Sequence, residues 1–592
     1  MFEKSIATIR STKYVLSYVL KAKYGKIYSS IKCFQAIIGS LLPLVYTIFP
    51  GMILNELTGE CNITRLIILV LGLTLTPAIY GVFDRNINCY LWKLNNAIRL
   101  GFEAEFFHHV MNMDYETYEN PEIQAKQNRA CNVTDSFLQI VDDVYSLIGA
   151  VITLFSITMI ISSLNILIVV FVSIVILLNT MYARHNNKKV HDMEIELSKY
   201  DNYNGAYSYM LNYPEYGKEI RLFNIGDFLI NLYTSSKKES NKMDVKYFSL
   251  GSRVGLWNTV TGTVQQLVIY AYLIVSALKG LISVGSLTIY LNAVGQFSGS
   301  LSRVFNSYLV LSNKKLRIDE YIEFMNIDNM INSSGNLEPV FDEDSTIEFV
   351  NVSFKYPGSE KYVLEKFNFS IHGNEKICIV GENGAGKSTF IKLLCRLYVP
   401  TDGKILLNGI NIEEYDYRKY LDLFSPVFQD YARYYTTLEK NISLSSETDR
   451  DRLDDACDKS GLKSFVSNLQ KGYDTQIGKW IDPAGIDPSG GEEQRMAIAR
   501  ACYHGGKIFL LDEPTASLDP NAEYDIYTRF NNVITDNCTI FITHRLSAVQ
   551  LANRVAVFKE GQVVEQGTHK ELYSKNGLYT EMFDKQAKFY RE

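Results

Sequence analysis

Gly381-Glu382-Asn383-Gly384-Ala385-Gly386-Lys387-Ser388-Thr389 follows the apolar run Ile377-Cys378-Ile379-Val380 and precedes Phe390-Ile391-Lys392-Leu393-Leu394. A strand, a glycine-rich loop and a helix therefore follow one another, with the spacing GxxxxGK[ST] of a phosphate-binding loop. The glycines Gly381, Gly384 and Gly386 let backbone N–H groups, those of Asn383 and Ala385 among them, turn inward around an anion, and the helix start at Lys387-Ser388-Thr389 adds its positive dipole end. Lys387 is placed to reach the outer phosphates and Ser388 to ligate Mg²⁺. The expected ligand is ATP or a related nucleoside triphosphate with Mg²⁺.

Two other segments carry matching chemistry. Lys507-Ile508-Phe509-Leu510-Leu511-Asp512-Glu513 is an apolar strand ending in two carboxylates, an expensive arrangement unless a cation sits there. Asp512 fits the Mg²⁺-side acid that accompanies a phosphate loop, and Glu513 the general base for an attacking water. Ser489-Gly490-Gly491-Glu492 opens a second helix, with Ser489 as N-cap and Glu492 completing a capping box. Its paired glycines leave the first N–H groups uncovered, which makes a second anion-binding helix end.

The first half reads differently. Residues 33–54, 66–83, 144–183, 254–278 and 281–302 contain no charged side chain. The polar Ser162-Ser163-Leu164-Asn165 divides the longest run into 144–161 and 166–183, giving six spans. Each is long enough to cross ~30 Å of hydrocarbon. Lysine and arginine concentrate before the first span and after the fourth, which places both termini in the cytosol. Residues 1–30 lack a signal core and are expected to lie as an amphipathic segment on the inner membrane face. The linking segments near 84–143 and 184–253 are long and helix-compatible, broken at Pro121, Pro214 and Gly217. Short transverse helices are expected at those tips, near 114–122 and 214–225. A polar linker at 326–344 separates the membrane domain, 31–325, from an α/β domain at 345–592. A net charge of −6 offers no basic surface for nucleic acid. The nine cysteines show no CxxC spacing and are expected to be reduced and structural.

The order of the phosphate loop, Ser489-Gly490-Gly491, Leu510-Leu511-Asp512-Glu513 and Ile542-Thr543-His544-Arg545 resembles that of ATP-binding cassette ATPases. So do Tyr356 in Phe354-Lys355-Tyr356-Pro357, Gln429 in Phe428-Gln429-Asp430, and Ser517-Leu518-Asp519. With six spans ahead of it, the chain resembles a half-transporter of the ABC exporter type over its whole length. The resemblance implies a six-helix membrane domain with long cytosolic extensions, followed by an α/β phosphate-loop ATPase. It implies that Tyr356 stacks on adenine and that Gln429 touches Mg²⁺. It further implies that His544 contacts the γ-phosphate, that Asp519 lies at a dimer seam, and that Ser489, Gly490 and Gly491 complete the site of a partner subunit. The two tips would be coupling helices. A homodimer is expected, with a heterodimer as the alternative.

Two residues depart from the family pattern: Pro488 stands where leucine is usual and Glu492 where glutamine is usual. The proline removes one N–H outside the anion-facing pair, so nucleotide binding is expected to survive. Gly478-Lys479-Trp480, within the stretch 478–487, resembles bacterial exporters of lantibiotic-type peptides. The expected activity is ATP-driven export of a modified, ribosomally made peptide across a bacterial cell membrane, without a peptidase domain ahead of the first span. The alternative is a lipid or multidrug exporter of the same fold. A nucleotide-gated channel is less consistent with Glu513 and His544, because a pure switch does not need hydrolysis. Gln35, Asn258, Thr261, Gln265, Gln266, Asn292 and Gln296 either line a cavity or satisfy one another between helices. Asp84, Arg85, Asp142 and Asp143 are expected to be solvated charges at the membrane edge.

Overall fold

A computed structural model describes residues 2–59, 61–131, 133–163, 165–327, 335–513, 537–543, 549 and 551–591. Contacts divide the chain into two units, 1–107 with 126–326 and 108–125 with 327–592. The tip expected near 114–122 lies within the segment 108–125, which groups with the second unit.

The helices run α1 (Phe2–Lys21), α2 (Gly25–Thr58), α3 (Ile63–Met111), α4 (Tyr115–Glu119), α5 (Pro121–Cys131), α6 (Thr134–Ser162), α7 (Ile166–Asn212), α8 (Pro214–Leu222), α9 (Gly226–Leu278) and α10 (Val284–Met325). Helices α2, α3, α6, α7 and α9 each contain a stretch long and apolar enough to cross a membrane. Helix α10, which contains most of the expected sixth span, is more polar, with Asn292, Gln296 and several serines in its first half. It still packs into the same core, where Phe297, Val294 and Ala293 meet Ile157, Ile161, Val172 and Leu273. On α3, by contrast, Ile67, Ile68, Leu71, Leu75, Ile79 and Val82 are all exposed. Apolar side chains facing outward along a long helix are what a lipid-facing surface requires.

Local chemistry sets the breaks and close approaches. Asn165 caps α7 by accepting from the Leu167 N–H at 2.9 Å, so the polar turn expected there does separate two helices. Pro43 and Pro50 lie inside α2, and the Thr47 hydroxyl occupies the Pro43 carbonyl at 2.7 Å. At the α2–α10 crossing a Cβ on Gly285 would lie 2.2 Å from the Gly51 carbonyl oxygen, so only glycine permits that contact.

The membrane-edge acids are not simply solvated. Asp142 pairs with Lys32 at 3.0 Å and accepts from the Tyr28 hydroxyl at 2.8 Å. Asp143 pairs with Lys314 at 2.8 Å, and Asp84 accepts from Gln35 at 2.6 Å. Low-dielectric surroundings make a partnered charge cheaper than a bare one. Polar residues in the spans follow the same rule: Thr261 bonds Asn179, Gln265 bonds Ser298 and Asn292 bonds the Tyr46 carbonyl.

The second unit contains β1 (Thr346–Phe354), β2 (Leu364–His372), β3 (Lys376–Gly381), β4 (Asp402–Leu407), β5 (Ile410–Asn411), β6 (Phe424–Val427), β7 (Ile508–Asp512), β8 (Cys538–Ile542), β9 (Arg554–Lys559) and β10 (Gln562–Gly567). An antiparallel sheet has the order β2-β1-β4-β5, and a second sheet the order β10-β9-β3-β8-β7-β6. Strands β9, β3, β8, β7 and β6 are mutually parallel, so their carboxyl ends open on one edge, where α/β proteins bind ligands. Burial pushes the thiols of Cys378, Cys395 and Cys538 up to about 12, in keeping with structural cysteines.

Candidate nucleotide site

The phosphate loop leaves β3 at Gly381 and enters the helix Lys387–Leu394. A Cβ on Gly381 would lie 2.3 Å from the Phe558 carbonyl oxygen of β9, so the strands meet too closely for any side chain there. Gly384 and Gly386 take φ of +81° and +99°, the left-handed region that glycine enters without cost. Gly381→Ala is expected to lower stability by about 1–3 kcal/mol through this backbone overlap. Thermal unfolding of the purified protein checks it; an unchanged midpoint would contradict the packing argument.

Within the loop the Lys387 ammonium, itself buried, donates to the carbonyls of Gly381 and Glu382 at 2.8 and 2.9 Å. Burial pulls it below its ordinary value, while Glu513 and Asp512 act in the opposite direction. Asp512 ends β7 and Glu513 follows it; β7 lies one strand away from β3 across β8. Glu513 follows the strand with φ +48°, and its N–H is tied to the Ile542 carbonyl at 2.9 Å. A left-handed glutamate is an uncommon backbone state, of a kind that clusters at functional sites. Its carboxylate accepts from Gln429 at 3.2 Å. Lys387, Gln429, Asp512 and Glu513 are thus gathered at the mouth of one loop.

The charge balance there fits a cation. Burial pushes the Asp512 carboxyl up to about 6, and Glu513 and Asp430 add to the rise while Lys387 opposes it. Lys387 donates to its own loop and, among the described residues, makes no ion pair with the acids. Asp512, Gln429 and the exposed Ser388 hydroxyl each offer an oxygen of the kind Mg²⁺ takes.

Tyr356 is half-buried, its hydroxyl 3.0 Å from the Thr389 hydroxyl. Ser489 caps the helix Gly490–His504, but its N–H and its hydroxyl both reach Glu492, at 2.6 and 2.7 Å. Ser489 and Gly490 are exposed, and no hydrogen bond links Ser489, Gly490 or Gly491 to the phosphate loop among the described residues. His544 and Asp519 lie outside the described residues.

Sequence reasoning missed a cluster beside the loop. The Lys392 ammonium sits over the rings of Tyr115, Tyr356 and Tyr398, 5.6, 5.4 and 5.3 Å from their centroids. Glu119 lies 3.4 Å from it and accepts hydrogen bonds from Tyr398 and Tyr115. Burial alone would raise the Glu119 carboxyl; Tyr398, Lys392 and Tyr115 together outweigh it and hold the group below the usual carboxylate range. These partners are up to 279 residues apart, so no local pattern announces them.

A nucleotide loop facing an acidic strand end, fused to helices of membrane-spanning type, defines a transporter driven by a phosphate-loop ATPase. The ABC transporter family model matches residues 364–516. The chain is 30% identical over 556 residues to the subtilin transport ATP-binding protein SpaT of Bacillus subtilis, covering 92% of this chain and 90% of that protein. It is 30% identical over 380 residues to the nisin transport ATP-binding protein NisT of Lactococcus lactis subsp. lactis, covering 63% of each. An ATP-dependent lipid A-core flippase of Pseudomonas aeruginosa is 33% identical over 342 residues, 55% of each chain. The fold matches a bacterial Atm1-family ABC exporter with ATP bound, with a TM-score of 0.82 at 22% identity over 95% of this chain and 98% of that one.

The chain belongs to the ABC transporter family. It is an ATP-driven exporter, a multi-pass membrane protein whose cytosolic ATPase domain couples hydrolysis to transport.

Proposed function

We propose that this exporter carries a ribosomally made, modified peptide of antimicrobial type out of a bacterial cytosol, as a homodimer. The observation that carries the reading is the alignment with the subtilin transport protein, which runs over 90% of that protein, against 55% for the lipid flippase. The Gly478-Lys479-Trp480 stretch supports it, with Trp480 exposed beside Tyr435.

In the proposed cycle the backbone of residues 381–389 and Lys387 hold the phosphates of ATP, and Tyr356 stacks on adenine. Ser388, Gln429 and Asp512 hold Mg²⁺, which when bound supplies charge neutralisation on the outer phosphates. Glu513 takes a proton from water as the water oxygen attacks the γ-phosphorus. The bond to the β–γ bridging oxygen breaks and its electron pair leaves with ADP. Gln429, bonded to Glu513, orients that carboxylate. Ser489, Gly490 and Gly491 of one copy close over the phosphates held by the other, and His544 and Asp519 add contacts at the γ-phosphate and the seam. Glu492 and Pro488 leave this closure intact.

Reconstitution in proteoliposomes tests the substrate. A modified precursor peptide with its leader is expected to stimulate ATP hydrolysis about two- to fivefold, and to accumulate on the side away from the ATPase domain. Hydrolysis that moves labelled lipid and no peptide would sink the peptide reading in favour of a flippase.

A further inference from the structure

We propose that Lys392 is a positioning and specificity-determining residue. It holds Tyr356 for the adenine base and ties that ring to the segment 108–125, so that base binding and the seating of that segment are energetically coupled. The proposal rests on the reading of Tyr356 as the base-stacking residue.

The geometry is unusually complete. Lys392 stands on the helix that begins at Lys387, so its stem is fixed relative to the phosphate loop. Its ammonium lies over one face of Tyr356, while Phe354 and Tyr398 meet the Tyr356 ring nearly edge-on, at 5.1 and 5.4 Å. That arrangement braces the ring from one face and its edges. A cation over an aromatic face is held by the ring quadrupole, and the attraction grows as water is excluded.

The same ammonium reaches Tyr115 and Glu119 of α4. Glu119 also anchors Tyr398, and Tyr115 packs edge-on against Tyr398 at 5.9 Å. One cation thus serves the base-side tyrosine and α4 at once. Moving α4 away would strip Lys392 of its carboxylate and one of its rings. Moving Tyr356 would loosen the cluster in the same way. Two ligands or segments that bias a shared element are coupled, and the coupling is reciprocal.

The test compares two probes on full-length protein in nanodiscs with Mg²⁺: ATP, and inorganic tripolyphosphate, which lacks a base. Lys392→Gln is expected to weaken ATP binding by about five- to tenfold and to leave tripolyphosphate within about twofold. Lys392→Arg, which keeps the cation over the rings, is expected to retain ATP affinity within about threefold. Glu119→Gln alone is expected to weaken ATP by about threefold and to have no further effect beside Lys392→Gln.

Equal losses for both probes would overturn the proposal, since the lysine would then only stabilise the loop. An undiminished effect of Glu119→Gln in the Lys392→Gln background would overturn the coupling. Tyr356→Leu separates this idea from the reading beneath it. If it leaves the ATP-to-tripolyphosphate ratio unchanged, the base-stacking assignment fails. If it shifts the ratio and Lys392→Gln does not, only the role of Lys392 fails.

Discussion

Glu513→Gln is expected to cut steady-state ATP hydrolysis by about 10²- to 10⁴-fold while nucleotide binding persists. The amide keeps the shape of the side chain and can still meet Gln429, which lies 3.2 Å from the carboxylate, but it cannot accept a proton from water. The left-handed backbone at Glu513 and its bond to the Ile542 carbonyl remain in the variant, so the fold should not change. Paired measurements of phosphate release and of ATP binding separate chemistry from affinity. Hydrolysis at the parent rate would place the general base elsewhere.

Asp512→Asn should divide stability from activity. The folded carboxyl lies at about 6, well above its ordinary 3.8, because burial penalises its charge. Such a raised group contributes its full stability only below the ordinary value and loses it as pH rises through about 6. At pH 7.5 the ionised Asp512 therefore destabilises the nucleotide-free protein, by at most ~3 kcal/mol for a shift of this size. Asparagine cannot ionise, so Asp512→Asn should stabilise that state by about 1–2 kcal/mol at pH 7.5, with the gain fading towards pH 4. Hydrolysis should fall by at least ~100-fold, because the proposed Mg²⁺-side acid is gone. Thermal unfolding at the two pH values, with and without Mg²⁺ and ATP, reads both effects. A variant less stable than the parent at pH 7.5 without nucleotide would contradict the burial argument.

Much of this was legible from the residues. The loop at 381–389 announced itself by glycine spacing, and the acidic strand end by the improbability of two carboxylates closing an apolar run. Both are local signals, and β3 and β7 carry them to the same edge of one sheet. The apolar helices were equally plain, because membrane spanning demands long uncharged runs. Two things were hidden. The pairing of Asp142 with Lys32 and of Asp143 with Lys314 joins residues 110 to 171 positions apart, which single-segment charge reading treats as separate surface groups. The cluster around Lys392 draws on 115, 119, 356 and 398, each ordinary in its own neighbourhood. Only the fold puts a tyrosine-rich tip beside a lysine one turn past the phosphate loop.

In the proposed dimer the phosphate loop is half of a site that Ser489-Gly490-Gly491 of a second copy completes. A photocrosslinking side chain in place of Ser489 tests it directly, in one isotopically labelled copy mixed with unlabelled protein and MgATP. Nucleotide-dependent crosslinks from the labelled chain to residues 381–389 of the unlabelled one are expected. Crosslinks to that loop confined to the same chain, or indifferent to nucleotide, would contradict it.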